Sequence, residues 1–344
     1  MSKRFKTLFD LTVPIGLAPM ALASGGALAA ACARAGALGL VGGGYGELAW
    51  TQREYALACA LASRPSETPP APSAGSAATS SDLARIGIGF ITWKLDENAS
   101  ALDWTLDQAH PPAAVMVSFG DPRPYAARIA AVGARLICQV QTMAQVPLCL
   151  EAGAHIIVAQ GAEAGGHGMN ALNGRSTLTL VPELADWLAA NAPQTVLLAA
   201  GGIADARTLA AVQVLGADGA LVGSRLWATQ ESLAAPGAKT QAVATDGDGT
   251  ARSPVFDILR RKNWPAPYDF RAIRNDLHRR LESDLSALRA TPDAARADYD
   301  AGVASGDFTR AHATVGEAVG LIHDLPGAAQ AIHHMMEAVG RPVA

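Results

Sequence analysis

Closely spaced cysteines are absent from this chain. The four cysteines, Cys32, Cys59, Cys138 and Cys149, form no C-x-x-C pair, and the histidines show no H-E-x-x-H spacing. A disulfide framework or a zinc site requires closer groups of ligands, so neither class of protein is expected and no metal site is predicted. We interpret the four thiols as small buried side chains in a reducing compartment, which predicts a cytoplasmic protein.

An excess of charge of one sign is also lacking. Lysine and arginine number 27 against 31 acidic residues, and no basic run could follow a phosphate backbone. Nucleic-acid binding is therefore not expected. No stretch has the length and apolar character of a membrane span. The run from Leu11 to Ala33 is similar to a signal peptide, but Pro14 and Pro19 interrupt it, and we interpret its alanine-rich half as a buried helix closed by Gly36.

What the chain does contain is a series of short apolar runs separated by helical segments. These runs are VPIGLA (13–18), LGLV (38–41), RIGIGFI (85–91), AAVMVSF (113–119), RLICQV (135–140), HIIVAQ (155–160), TVLLAA (195–200) and GALVGS (219–224). They are apolar throughout rather than alternating, as in parallel strands that are buried on both faces. Eight such β/α units predict an α/β fold, the (β/α)8 TIM barrel, with a doubly wound sheet as the rival.

The composition also predicts how the chain is divided. Residues 10–225 are assigned to the barrel, and residues 226–344, where charged helical stretches follow, to an appended helical C-terminal region packed on it. Residues 64–82 are rich in proline, serine and alanine and are predicted to form a low-complexity loop. The chain is compatible with a monomer or a homodimer.

Glycines follow the last two predicted strands, where barrels of this type commonly bind phosphate. Gly201 and Gly202 follow the seventh strand, Gly223 and Ser224 follow the eighth, and Arg225 could add positive charge. Glycines in one such loop would more simply permit a tight turn. Their presence in both loops favours a phosphate site, for flavin mononucleotide (FMN) or for a phosphorylated sugar.

One histidine, His167, stands among glycines in AQGAEAGGHGMN (159–170), directly after the sixth predicted strand. A histidine at the carboxyl end of a barrel strand can transfer protons near neutral pH, so His167 is the candidate catalytic residue. A structural histidine in a loop is the alternative. Of the nearby acids, Asp205 is expected to cap the next helix. Glu163 could orient a neighbour or face water.

Several motifs together resemble the nitronate monooxygenase family, formerly called 2-nitropropane dioxygenases. They are VPIGLAPM, GIGFITW, VMVSFGDP, RLICQVQT, VAQGAEAGGHG, LLAAGGIADARTLAAVQVLGADGALVGSRLWAT and GEAVGLIHDLP, between about residue 10 and residue 326. The resemblance implies an FMN-containing barrel that oxidises alkyl nitronates with O2 to carbonyl compounds and nitrite. It also implies that His167 is the active-site histidine.

The resemblance and the strand ends together give the predicted flavin-binding residues. These are Ala18, Pro19, Met20, Gln139, Gln160, Gly165, Gly166, Gly201, Gly202, Leu221, Val222, Gly223 and Ser224. One departure concerns the third strand, where many members carry an asparagine and this chain has Gly89. Similar barrels with a GGH loop include NAD(P)H:quinone reductases and enoyl-thioester reductases, which are the alternative activities. A non-catalytic flavin- or sugar-phosphate-binding barrel is a third reading.

Overall fold

The computed structural model describes residues 3–64 and 82–337. The loop predicted at 64–82 lies outside the described residues, apart from its two end positions. In the described part of the chain, no helix combines the length and the apolarity that crossing a membrane requires.

Eight parallel strands form a closed barrel, which confirms the predicted fold class. The barrel strands are β1 (Ile15–Leu17), β2 (Gly39–Gly44), β3 (Ile86–Ile91), β4 (Ala114–Ser118), β5 (Arg135–Val140), β6 (Ile156–Gln160), β8 (Val196–Ala200) and β9 (Gly219–Val222). They follow the order β1-β9-β8-β6-β5-β4-β3-β2. A parallel bridge between Gly16 and Leu38 joins the two ends of this order, and Leu17 N–H donates to the Leu38 carbonyl at 2.8 Å. Nearly every strand residue is buried because the barrel interior packs one face and the helices cover the other.

The helices are listed here as the structure bounds them. They are α1 (Arg4–Phe9), α2 (Gly26–Arg34), α3 (Leu48–Ala62), α4 (Thr92–Leu95), α5 (Ser100–Leu106), α6 (Arg123–Ala131), α7 (Val146–Glu151), α8 (Thr177–Asn191), α9 (Ala206–Val214), α10 (Ser224–Trp227), α11 (Pro236–Val243), α12 (Val255–Leu259), α13 (Asp276–Leu281), α14 (Leu285–Ala290), α15 (Asp293–Ser305) and α16 (Ala328–Met336). The predicted alanine-rich helix is therefore α2, and it is almost wholly buried.

The barrel begins earlier in the chain than residue 10. Helix α1 places Phe5 and Phe9 in one apolar cluster with the side chains that fill the barrel interior, including Leu40 and Met116. Arg4 holds this helix in place through an ion pair with the buried Asp218, with Nη2 and Oδ2 2.8 Å apart. Residues before the first strand thus close one end of the barrel.

The barrel also ends later than predicted. Helix α16 packs between α2 and α9, which makes it the eighth helix of the ring. Residues 228–327 are therefore an insertion between the last strand and the last helix, and we call them the insertion.

The insertion is not purely helical, so that part of the prediction was wrong. It contains β10 (Thr250–Ser253) and β11 (Tyr268–Ile273), which form a three-stranded antiparallel sheet with β7 (Gly166–Met169). Both strands are short and carry charged residues such as Arg252 and Asp269. They lack the continuous apolar character that identified the barrel strands.

Candidate active site

A cavity of about 700 Å³ opens at the carboxyl ends of the barrel strands, beneath the insertion. Nearly all of the predicted site residues line it: Ala18, Pro19, Met20, Gln139, Gln160, Gly165, Gly166, His167, Gly201, Gly202, Leu221, Gly223 and Ser224. Val222 does not, because side chains alternate along a strand and that of Val222 packs outward against the helices. The volume lies in the usual range for small-molecule and cofactor sites.

The two glycine-rich loops lie side by side at one end of this cavity. Gly201 and Gly202 have φ values of +100° and +76°, a backbone conformation that disfavours other residues. Within residues 3–64 and 82–337, no acceptor takes the backbone N–H groups of Gly202, Gly223 or Ser224. A Cβ added at Gly223 would clash with nothing, since it would make only ordinary van der Waals contacts, 3.8 Å from Ala18 Cβ and from Met20 Sδ. The loops thus offer free donors and room for an anionic group.

Arg225 does not take part in this site. Its side chain is buried away from the cavity, with Nη1 2.7 Å from Asp324 Oδ1 and Nη2 donating to the Asp324 carbonyl. Arg225, which was predicted to add positive charge at the phosphate end, instead binds Asp324, just before α16.

His167 lies on a strand rather than on a free loop. It belongs to β7, where it pairs with Phe270 of β11. Its ring stacks on Trp264, with centroids 3.4 Å apart and planes within 12° of parallel. Only 8% of the side chain is exposed. The position of the imidazole is therefore fixed by the insertion and does not depend on the reach of a flexible loop.

Gly165 explains how the chain enters this strand. A Cβ at that position would lie 2.5 Å from the Val315 carbonyl carbon, so the two backbones can approach only because residue 165 has no side chain. The buried Arg252 guanidinium also ties the segment down by donating to the carbonyls of Ala164 and Gly166. Burial lowers the pKa of Arg252 to about 10, which leaves it charged near neutral pH.

Asp257 of α12 is the partner of His167 and was not predicted. Nε2 of His167 lies 3.0 Å from each oxygen of the Asp257 carboxylate. A carboxylate only accepts hydrogen bonds, so Nε2 carries the proton and Nδ1 is left as an acceptor. No short motif links residues separated by 90 positions in the chain, and only the folded insertion brings them together.

Burial lowers the pKa of His167 to about 4, and the neighbouring Asp257 carboxylate offsets only part of this effect. A second histidine that was not predicted, His312, also lines the cavity. Its Nδ1 lies 2.7 Å from the hydroxyl oxygen of Tyr299. Burial lowers its pKa to about 3. Both imidazoles are therefore neutral near pH 7.

This burial predicts how stability depends on pH. In the unfolded chain His312 takes up a proton below about pH 6.5, whereas the folded chain excludes that proton until near pH 3. The free energy of unfolding should therefore fall as the pH drops below 6.5, by about 1.4 kcal/mol per pH unit for each such histidine. The free energy of unfolding should be measured by urea titration at several pH values between 6.5 and 5. It should change less steeply with pH in His312→Gln than in the wild type. The matched change His333→Gln, at an exposed histidine of α16, should keep the wild-type dependence of the free energy of unfolding on pH. If all three proteins showed the same dependence on pH, burial of neutral His312 would not be a cause of the loss of stability in acid.

Three glutamines connect the floor of the cavity to His167. Gln160 Oε1 accepts hydrogen bonds from Gln139 Nε2, at 2.7 Å, and from Gln141 Nε2. Gln160 Nε2 in turn donates to the His167 carbonyl at 3.1 Å. The predicted polar residues of β5 and β6 thus form one network with the strand that carries the histidine.

The two nearby acids stabilise helices. Asp205 caps α9 by accepting from Thr208 N–H, as expected. Glu163 caps α8, where its carboxylate oxygens lie 3.0 Å from Thr177 N and its Oε2 accepts from Thr177 Oγ1 at 2.9 Å. Of the two roles that the sequence left open for Glu163, the structure shows that it orients a neighbouring group, Thr177, and does not simply face water.

Gly89 lines the cavity where the family pattern has an asparagine. A Cβ at this position would lie 2.3 Å from Pro19 Cγ. The ring of Pro19 thus occupies the space that a side chain at position 89 would need.

The fold and the site define a (β/α)8-barrel enzyme whose buried histidine–carboxylate pair faces a cavity at the strand ends. The sequence matches the nitronate monooxygenase family over residues 2–338, and the chain belongs to that family of oxidoreductases. It is 32% identical over 330 residues to the nitronate monooxygenase NpaC of Metarhizium robertsii, an alignment that covers 91% of this chain and 87% of that one.

Two solved structures share the fold. FabK from Thermotoga maritima superposes with a TM-score of 0.76 at 23% identity, covering 99% of this chain and 96% of that one. Nitroalkane oxidase from Streptomyces ansochromogenes gives a TM-score of 0.74 at 24% identity, covering 97% and 98%. Both superpositions extend over nearly the whole chain and support the barrel fold.

Proposed function

We propose that this protein is an FMN-dependent nitronate monooxygenase that oxidises alkyl nitronates with O2 to carbonyl compounds and nitrite. The observation that carries the proposal is the strand-end cavity, which joins free backbone N–H groups for a flavin phosphate to the His167–Asp257 pair on its wall. Family membership supports the reaction class. The reacting partners are thus a small nitronate and O2.

The residues of the cavity fit FMN. The free N–H groups of Gly202, Gly223 and Ser224 would hold its phosphate, and Gly223 leaves the required space. Ala18 to Met20, with Gln139 and Gln160, would contact the remainder of the cofactor. When bound, FMN supplies the electron acceptor that the chain's own side chains cannot provide.

His167 is suited to act as a base. Its Nδ1 is unprotonated near neutral pH, because Nε2–H is directed at Asp257 and burial disfavours the imidazolium. It can therefore remove the Cα proton of a neutral nitroalkane and deliver the nitronate within the cavity. A preformed nitronate has already lost that proton and needs this step no longer. These features favour a neutral His167 that acts as a base over a protonated His167 that binds the nitronate anion by its charge.

Oxygen uptake tests the proposed reaction directly. Purified protein should consume O2 and release nitrite when mixed with ethyl nitronate, and denaturation should release FMN. Anaerobic mixing with NADH or NADPH should cause little flavin reduction. Rapid reduction by NADH, with turnover of quinones or enoyl thioesters and none of nitronates, would instead assign a reductase activity.

Asp257→Asn should lower turnover of nitroethane by at least about 10- to 100-fold, the range found when the hydrogen-bond partner of a metal-bound histidine is removed. An amide can donate to Nε2, which would move the proton to Nδ1 and block the base. Because this is an effect on tautomer, kcat should fall while KM changes little, and Asp257→Glu should recover part of the activity. An unchanged kcat in Asp257→Asn would show that the carboxylate does not position the base.

We also propose a cytoplasmic location. Cleavage of the signal-like segment would remove β1, which pairs with β9 and bridges to β2 to close the barrel. Mass spectrometry of the protein from its own host tests this proposal, and a mature form that starts near Cys32 would refute it.

A further inference from the structure

Trp264, in the loop of the insertion between α12 and β11, covers one face of the His167 ring. The two ring centroids lie 3.4 Å apart and the planes are within 12° of parallel, so the imidazole stands against the π face of the indole. The indole is held from its edge, because its Nε1 donates to the Tyr45 hydroxyl at 2.9 Å. Phe119 contacts it at right angles, with centroids 5.0 Å apart. The stack is therefore a fixed part of the site.

The rings around this stack share a further feature, since each holds the cation of a lysine or an arginine over its face. The pairs, with the distance from Nζ or Cζ to the ring centroid, are Lys94 on Trp93 at 4.6 Å, Lys262 on Tyr45 at 4.2 Å and Arg260 on Phe270 at 4.6 Å. Among the described residues, no such cation lies over Trp264. Its face holds instead the imidazole of His167, which becomes a cation only when it takes up a proton. Indole is the aromatic ring that attracts cations most strongly.

A proton taken up by His167 creates a buried cation, and the surrounding charges support it poorly. Burial is the largest influence and lowers the pKa of His167 to about 4. The Asp257 carboxylate favours the imidazolium, whereas the charges of Arg260 and Arg252 disfavour it. His312, which is close enough to interact with His167 electrostatically, is itself neutral near pH 7. A ring face that attracts cations would therefore lower the cost of the charged state.

We propose that Trp264 stabilises the imidazolium that His167 forms when it removes the Cα proton of a nitroalkane, through a cation–π interaction made only in the charged state. The proposal rests on the proposed function, since it concerns the proton transfer of that reaction. The C–H bond breaks, its electron pair stays on the substrate as the nitronate, and the proton goes to Nδ1. Nε2–H stays on Asp257, so the positive charge spreads over a ring that lies flat on the indole. Trp264 thus acts through the histidine, as a positioning residue whose effect depends on its π electrons.

The shielding of the stack from water determines the size of the effect. A cation–π interaction is strongest when both partners are desolvated, and only 8% of the His167 side chain is exposed. For a desolvated pair the interaction favours the imidazolium by about 10- to 30-fold. The neutral imidazole gains little from the same ring face. The interaction therefore grows as the proton moves, which is the condition for lowering a reaction barrier rather than tightening substrate binding.

Fluorinated tryptophan at position 264 separates the π electrons of the indole from its shape. Fluorine withdraws electrons from the ring face and leaves the stack and its burial nearly unchanged. The kcat for nitroethane should fall stepwise when 5-fluorotryptophan and then 5,6,7-trifluorotryptophan replace Trp264, by about 10-fold over the series. Turnover of preformed ethyl nitronate should not change, because that substrate brings no proton to His167. The same two residues in place of Trp104, which packs on Tyr55 away from the cavity, should leave both rates unchanged.

Protonation of His167 without any substrate provides a measurement that does not depend on turnover. NMR of the protein with 15N-labelled histidine, assigned by the signal lost in His167→Asn, gives the protonated fraction between pH 6.5 and 4.5. The ratio of protonated to neutral His167 should be about 10-fold lower with trifluorotryptophan at position 264 than in the wild type.

Equal protonated fractions in the two proteins would show that Trp264 only packs against the ring, and they would overturn the proposal. A kcat for nitroethane that fluorine leaves unchanged would overturn it as well. A lower protonated fraction in a protein that oxidises neither nitroethane nor ethyl nitronate would uphold the interaction between the two rings and refute the proposed function alone.

Discussion

His167→Asn should reduce turnover of neutral nitroethane by about 10²–10⁴-fold, the usual contribution of general acid–base catalysis. The asparagine keeps a polar side chain at the strand position but cannot take up a proton near neutral pH. Steady-state oxygen consumption over a range of nitroethane concentrations gives the kcat and kcat/KM that decide the question. Flavin content should stay close to that of the wild type, since the phosphate end of the cavity lies on other loops.

Preformed ethyl nitronate provides the matched control for this variant. Its proton has already been removed, so His167→Asn should lose much less activity on the nitronate than on nitroethane. The substitution His333→Asn, at an exposed side chain of α16, should leave both activities unchanged. If His167→Asn oxidises nitroethane as fast as the wild type, the histidine serves only to pair β7 with the insertion.

Gly223→Asp should abolish FMN binding. The Cβ of the new side chain would fit at ordinary contact distances. Its carboxylate would then lie in the cavity beside the N–H groups proposed to hold the phosphate. Repulsion between two unit charges about 4 Å apart costs about 4 kcal/mol at an effective dielectric constant of about 20. That energy corresponds to a roughly 10³-fold rise in Kd, and more if the phosphate carries a second charge.

The neutral variant Gly223→Asn separates charge from size. It has nearly the same shape as aspartate, so any loss of FMN that it shares is steric, and only the excess loss in Gly223→Asp reports the phosphate. Fluorescence titration of the FMN-free proteins measures both. Equal affinities in the two variants would place the phosphate elsewhere in the cavity.

The sequence predicted the barrel because each of its strands is a continuous apolar run, the pattern that burial on both faces demands. The same rule could not find β10 and β11, because partly exposed residues such as Arg252 and Arg271 interrupt their apolar character. It also placed Val222 in the site because a motif does not record which side of the strand each residue faces. The alternation of Leu221 inward and Val222 outward is visible only once the barrel is closed.

The sequence predicted only the part of the site that lies at the strand ends. Residues at strand ends converge in any barrel, so Gln139, Gln160 and the glycines could be grouped from topology alone. Asp257, Trp264 and His312 come from the insertion, where topology gives no such guide. Arg225 shows the opposite error, a residue assigned to the site that does not line it. It follows a phosphate loop in the sequence but pairs with Asp324 in the structure.

The position of α16 has a consequence for how the protein is made. The helix that completes the ring follows β9 only after the whole insertion, and it packs against α2, near the start of the chain. During synthesis the apolar sides of α2 and α9 therefore stay uncovered until residue 336 has left the ribosome. Contacts between such distant parts of a chain form slowly, and exposed apolar surface favours aggregation in the meantime. The nascent chain should thus depend on chaperones most strongly after its cavity-lining strands have been made but before its last helix arrives.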